Sequence, residues 1–197
     1  MRIEIGDLSS ASITNLISAL NKDVEDCSAL KGALGDFIGV IEQRESLDGV
    51  SYQAVKGKLS SYQDIVEQRK TIANDLAQAI VAATGQMESY MGEYSYLDTA
   101  ELDTIKTNLT NAKSELSLLN AAANGTRETT LSAAQISSRL LSVNQLIHDL
   151  EKKVEKLEGL PGADSSAFSN VSGVSMTSYN SSVGGMNPIQ VNFTAGV

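Results

Sequence analysis

His148 is the chain's single histidine and Cys27 its single cysteine. A metal site built on nitrogen or sulfur needs several such ligands converging, so neither residue can found one. Cys27 falls on an apolar row, where a thiol behaves as a small hydrophobe, and no second cysteine exists to form a disulfide. His148, beside Asp149 and next to an apolar row, reads as a solvated helix residue. Serine is abundant, but no Gly-x-Ser-x-Gly elbow presents one as a nucleophile. No Gly-x-x-x-x-Gly-Lys-Ser/Thr loop and no dinucleotide fingerprint offers a phosphate cradle. The carboxylates are scattered over helical faces. The sequence therefore predicts no catalytic residue, no metal ligand and no cofactor.

What remains are patterns that could bind another protein. Ser28, Gly32, Gly35 and Gly39 form a stripe of small residues on one helical face. Each glycine costs a helix about 1 kcal/mol relative to alanine, so three on one face imply close approach of another backbone. Two sources stay open, the chain's own bundle or a separate helical partner. A second cluster, Tyr90, Tyr94 and Tyr96 with Met87 and Met91, reads as core or the end of a hairpin rather than a ligand box.

These residues are positioned by long helical patterns. Ile13, Leu20, Cys27, Leu34 and Ile41 recur at intervals of seven, with Ile17, Val24 and Ile38 on the alternate row and Lys31 breaking it. A second helix, from about Ser51 to Tyr94, carries Val55, Tyr62, Arg69, Leu76, Ala83 and Tyr90 on one row. Its other row is Leu59, Val66, Ala73, Ile80, Met87 and Tyr94. Steps of three and four place each set on one stripe. The first helix runs from a cap at Asp7 or Ser9 to about Glu45. Between the two helices lies Leu47-Asp48-Gly49, read as the tip of an antiparallel hairpin. Pairing about that tip brings Asp64 and Glu67 near Lys31, and Glu25 and Asp26 near Arg69, which makes Lys31 and Arg69 register-setting charges in the seam.

A third helix is predicted after a break at Ser95–Asp98, with Asp98 and Glu101 as a capping box. Its seam is Leu102, Ile105, Leu109, Ala112, Leu116 and Leu119, and Asn124-Gly125 ends it. Thr126 is the expected cap of a fourth helix, with a seam from Ala133 through Ile136, Leu140, Val143, Ile147, Leu150 and Val154 to Leu157. The expected fold is all-α, an elongated antiparallel helical hairpin or coiled-coil bundle of about four long helices over residues 1–160. A Ser/Gly/Asn-rich flexible tail or linker is expected over 161–197.

The formal net charge of -9 argues against nucleic-acid or anionic-lipid surfaces. The most apolar window, Leu76–Thr84, is too short to span a bilayer, so no stable membrane insertion is expected. The N-terminus has no apolar core of signal-peptide length, and any export is expected to proceed without an ordinary cleaved leader.

The Leu47-Asp48-Gly49 turn, followed by Val50-Ser51-Tyr52-Gln53-Ala54-Val55-Lys56 and Tyr62, resembles the LXG domains of bacterial type VII secretion effectors. The opening is similar too, with a short extended Ile3-Glu4-Ile5 and then about forty residues of amphipathic helix. The resemblance covers about residues 1–95 best and extends weakly to 160. It implies a non-enzymatic targeting domain for an antibacterial toxin, the toxin itself being a separate C-terminal module. Its implied partners are small WXG-like helical-hairpin proteins, forming a hetero-oligomer recognised by the secretion ATPase of the type VII machinery. Leu47, Gly49 and Tyr52 are then candidate contacts at the turn. Other readings are a membrane-acting or pore-forming helical protein, and a self-assembling coiled-coil structural protein.

Overall fold

The computed structural model describes residues 1–44 and 50–174. Leu47 and Gly49, with the rest of the expected hairpin tip, and the tail from Ser175 onward lie outside the described residues. The fold is all-α, as expected, with four long helices. They are α2 (Ala11–Glu42), α3 (Val50–Met91), α4 (Leu102–Ala123) and α5 (Ala133–Gly173), preceded by a short α1 (Ile5–Leu8). The chain divides into two compact units, one of Met1–Asp7 with Glu88–Ser165, the other of Leu8–Met87 with the segment from Ser166.

In the unit containing the N-terminus, the break at Ser95–Asp98 is more than a turn. Strands β1 (Arg2–Glu4) and β2 (Tyr96–Asp98) pair antiparallel, with Ile3 opposite Leu97. Leu97 is fully buried, and the ladder is extended by Thr99 N–H to Met1 O at 2.8 Å and Ile5 N–H to Ser95 O at 3.0 Å. Gly92 adopts a positive φ of 58° and its N–H reaches Glu88 O, ending α3 with the left-handed cap that glycine accepts without strain. Asp98 caps as expected by accepting from Ala100 N–H at 2.9 Å. Glu101, however, does not close a capping box; its carboxylate takes the Lys153 ammonium at 2.9 Å and the Tyr96 hydroxyl at 3.1 Å.

Helices α4 and α5 bury Ala112, Leu119, Val143 and Ile147 together, with Leu109, Leu116, Leu140 and Leu150 packed around them. Ion pairs Lys106–Glu158 and Lys113–Glu151, each 2.7 Å, rise on one helix as they descend on the other and so fix an antiparallel pair. Thr126 does not cap α5. With Gly125 at a φ of 70°, its N–H bonds Ala121 O while the Gly125 N–H bonds Ala122 O, a Schellman closure of α4. The cap of α5 is Ser132, whose Oγ accepts from Gln135 N–H while Gln135 Oε1 accepts from Ser132 N–H, a reciprocal capping box.

Helix α5 also passes the expected end of the bundle at 160. It continues through Pro161 to Gly173, so residues 161–173 are helix rather than tail. Leu157 and Leu160 are essentially inaccessible to solvent, and Ala167 is buried seven residues beyond Leu160. That stripe of three- and four-residue steps, continued by Asp164 and Val171, outweighs the Ser/Gly/Asn-rich composition that predicts a tail from 161.

In the second unit, α2 is capped by Ser10, not Asp7 or Ser9, with Ser10 Oγ accepting from Ile13 N–H at 3.4 Å. Its buried residues are Cys27, Ile38 and Ile41. The buried row of α3 runs Ala73, Ala77, Ile80, Thr84 and Met87. The Thr84 hydroxyl bonds back to Ile80 O and Val81 O, which lets a polar residue sit there without an unmet donor.

Candidate functional site

Helices α2 and α3 run antiparallel, and oppositely charged side chains pair across the hairpin. Lys31 Nζ lies 3.0 Å from Glu67 Oε2, one of the two carboxylates, Asp64 and Glu67, that the sequence places near it. The hydrogen bond from that ammonium holds the Glu67 carboxyl below its usual range. Lys56 and Glu42 form a second ion pair in the same register. Arg69 also finds a carboxylate on α2, but it is Asp23 and not Glu25 or Asp26. The guanidinium grips it through two bonds, Nε to Oδ2 at 2.9 Å and Nη2 to Oδ1 at 2.6 Å. Two causes explain the shift. Arginine's stem reaches more than a helical turn along its neighbour, and Asp26 is already held by Lys22 four residues back. Cys27 lies buried beside this pair, and burial pushes its thiol pKa up.

The stripe of small residues divides on inspection. A β-carbon on Gly35 would meet Gln63 Nε2 at 3.1 Å, and that amide donates to Lys31 O at 3.2 Å. Gly35 therefore serves the chain's own hairpin, allowing a side chain of α3 to reach the backbone of α2. Gly32 and Gly39 would meet nothing. Ser28 turns its hydroxyl back to Val24 O at 2.8 Å and is exposed.

On the opposite flank of the seam lies a stripe that sequence reasoning missed. Leu30, Phe37 and Val40 are all exposed, Phe37 at 54%. Their steps of seven and three put them on one face of α2. The register shared by the Lys31–Glu67 and Glu42–Lys56 pairs brings Phe37 level with Ser61, beside Tyr62. Tyr62 and Val55, expected in the hairpin seam, are instead 42% and 44% exposed, and Tyr52 is likewise open. Toward its tip the hairpin thus leaves apolar residues of both helices uncovered. A two-helix pair has one buried seam, and amphipathic stripes wider than that seam reach solvent unless another helix covers them. The signal was present in the sequence as a second three-and-seven spacing displaced from the first.

The tyrosine and methionine cluster is structural. Met87 and Met91 are fully buried. Tyr90 and Lys156 clasp each other, the phenol donating to Lys156 O at 2.6 Å and the ammonium donating to Tyr90 O at 2.5 Å. Burial pushes the pKa of Tyr90 up, with the Glu155 charge adding to it. Arg2 and Lys153 each place a cation over the Tyr96 ring, 5.5 Å from its centre.

Among the described residues no group of histidine, cysteine and carboxylate side chains could hold a metal ion, and no helix is long and apolar enough to cross a membrane. Comparison with protein-family models, with curated proteins and with solved structures gives no match.

Proposed function

We propose that this chain is a non-enzymatic, secretion-targeting interaction domain of the LXG type, whose α2–α3 hairpin binds small helical-hairpin proteins for export by a type VII machinery. The observation that carries the reading is the exposed stripe Leu30, Phe37 and Val40 beside Val55 and Tyr62. A partner that lays an amphipathic helix there converts a two-helix seam into a bundle core. Burying one such large side chain fully contributes about 1.5–3 kcal/mol. Gly32 and Gly39, open on the other flank, leave room for a second backbone. Binding needs no catalysis, and the partner complex rather than a cleaved leader would present the chain to the secretion ATPase. Any toxic activity would belong to a separate module.

Co-expression with small helical-hairpin proteins encoded beside the gene tests this. A monodisperse complex is expected, and Phe37→Asp should weaken it at least about tenfold while leaving helicity intact, since a carboxylate would then be buried unpaired. A chain that purifies folded and alone in every pairing, or a complex indifferent to Phe37→Asp, would overturn the reading.

A further inference from the structure

The loop joining α4 to α5 opens a groove of about 720 Å³, lined by Glu115, Leu118, Arg127, Glu128, Leu131 and Arg139 among others. Its apolar part is real surface: Leu118 is 50% exposed, and Leu131 is packed only partly on the α4–α5 core. Its four charged side chains enter no ion pair or hydrogen bond among the described residues. Further along the same helices the charges do pair, Lys106 with Glu158 and Lys113 with Glu151.

Two unpaired cations and two unpaired anions around exposed leucine suit neither a simple anion nor a simple cation, since each would meet two like charges. They suit their own copy. A two-fold interface places one patch against itself, so that each residue meets a different residue of the same patch. A patch of balanced opposite charges with an apolar centre satisfies that condition. We infer that the α4–α5 groove is a homodimer interface, in which Arg127 and Arg139 of one copy pair with Glu115 and Glu128 of the other and Leu118 is covered. This surface is separate from the α2–α3 face, and the inference does not rest on the proposed function.

The test is the mass in solution of the full chain over a concentration series, by sedimentation equilibrium. Three variants accompany the wild type: an acidic groove (Arg127→Glu with Arg139→Glu), a basic groove (Glu115→Arg with Glu128→Arg), and Leu118→Ser. Twice the chain mass is expected for the wild type, single mass for each charge variant alone, and twice the mass again when the acidic and basic variants are mixed. Leu118→Ser should dimerise at least tenfold more weakly, with helicity unchanged by circular dichroism. A wild type monomeric throughout overturns the inference. So do charge variants that dimerise like the wild type, or a mixture that stays monomeric.

Discussion

Gly159 shows how one residue decides a contact. An ideal β-carbon built on it would stand 2.5 Å from the Tyr90 hydroxyl oxygen, which is fixed by its bond to Lys156 O. Alanine normally gains a helix about 1 kcal/mol over glycine. Here the phenol must move or lose its partner, an overpacking cost of about 1–3 kcal/mol. Gly159→Ala is therefore expected to lower stability, and Gly39→Ala, with open space at its β-carbon, to raise it by about 0.5–1 kcal/mol. Denaturant melts of the two variants check the opposite signs. Glu101 gives a pH signature. The Lys153 ammonium, and after it the Tyr96 hydroxyl, hold its carboxyl below the usual range. A lowered folded pKa means stability that is present above the ordinary carboxylate range and lost as pH falls through the folded value. The stability difference between wild type and Glu101→Gln should accordingly be present at neutral pH and shrink in acid, as read by thermal melts across pH. A difference constant with pH would remove the carboxylate from that role.

Helix α5 sets local signals against burial. Pro161 lacks the N–H that would reach Leu157 O, and proline inside a helix costs about 3 kcal/mol relative to alanine. The helix persists because the same stripe is buried before Pro161, at Leu157 and Leu160, and after it, at Ala167. Pro161→Ala should therefore stabilise the chain by about 1–3 kcal/mol, measured by the shift of the denaturation midpoint. Loss of stability would mean that local geometry at Pro161 matters more than the missing hydrogen bond. The capping of the same helix makes a related point. Thr126 and Ser132 both have cap chemistry, but Gly125 at positive φ commits Thr126 to closing α4, and only Ser132 has a glutamine three residues on.

For the whole molecule, the net charge of -9 and the lack of a membrane-length apolar helix among the described residues bear on the pore-forming alternative. The folded chain is expected to release no dye from anionic vesicles; release would favour that alternative over an interaction domain. Heptad spacing by itself determined that the chain is helical and where most helices run, because periodicity is a local property read along one helix. Glycine's fitness for the left-handed cap conformation identified Gly125 as a helix end. Only the tertiary structure decided that Ile3 pairs with Leu97, that Arg69 takes Asp23, and that Gly35 accommodates Gln63 while Gly32 and Gly39 stay open. It likewise decided that Val55 and Tyr62 face solvent beside Phe37. Each of these depends on which face of a helix another element covers, and a row of apolar residues carries no record of whether its neighbour comes from the same chain.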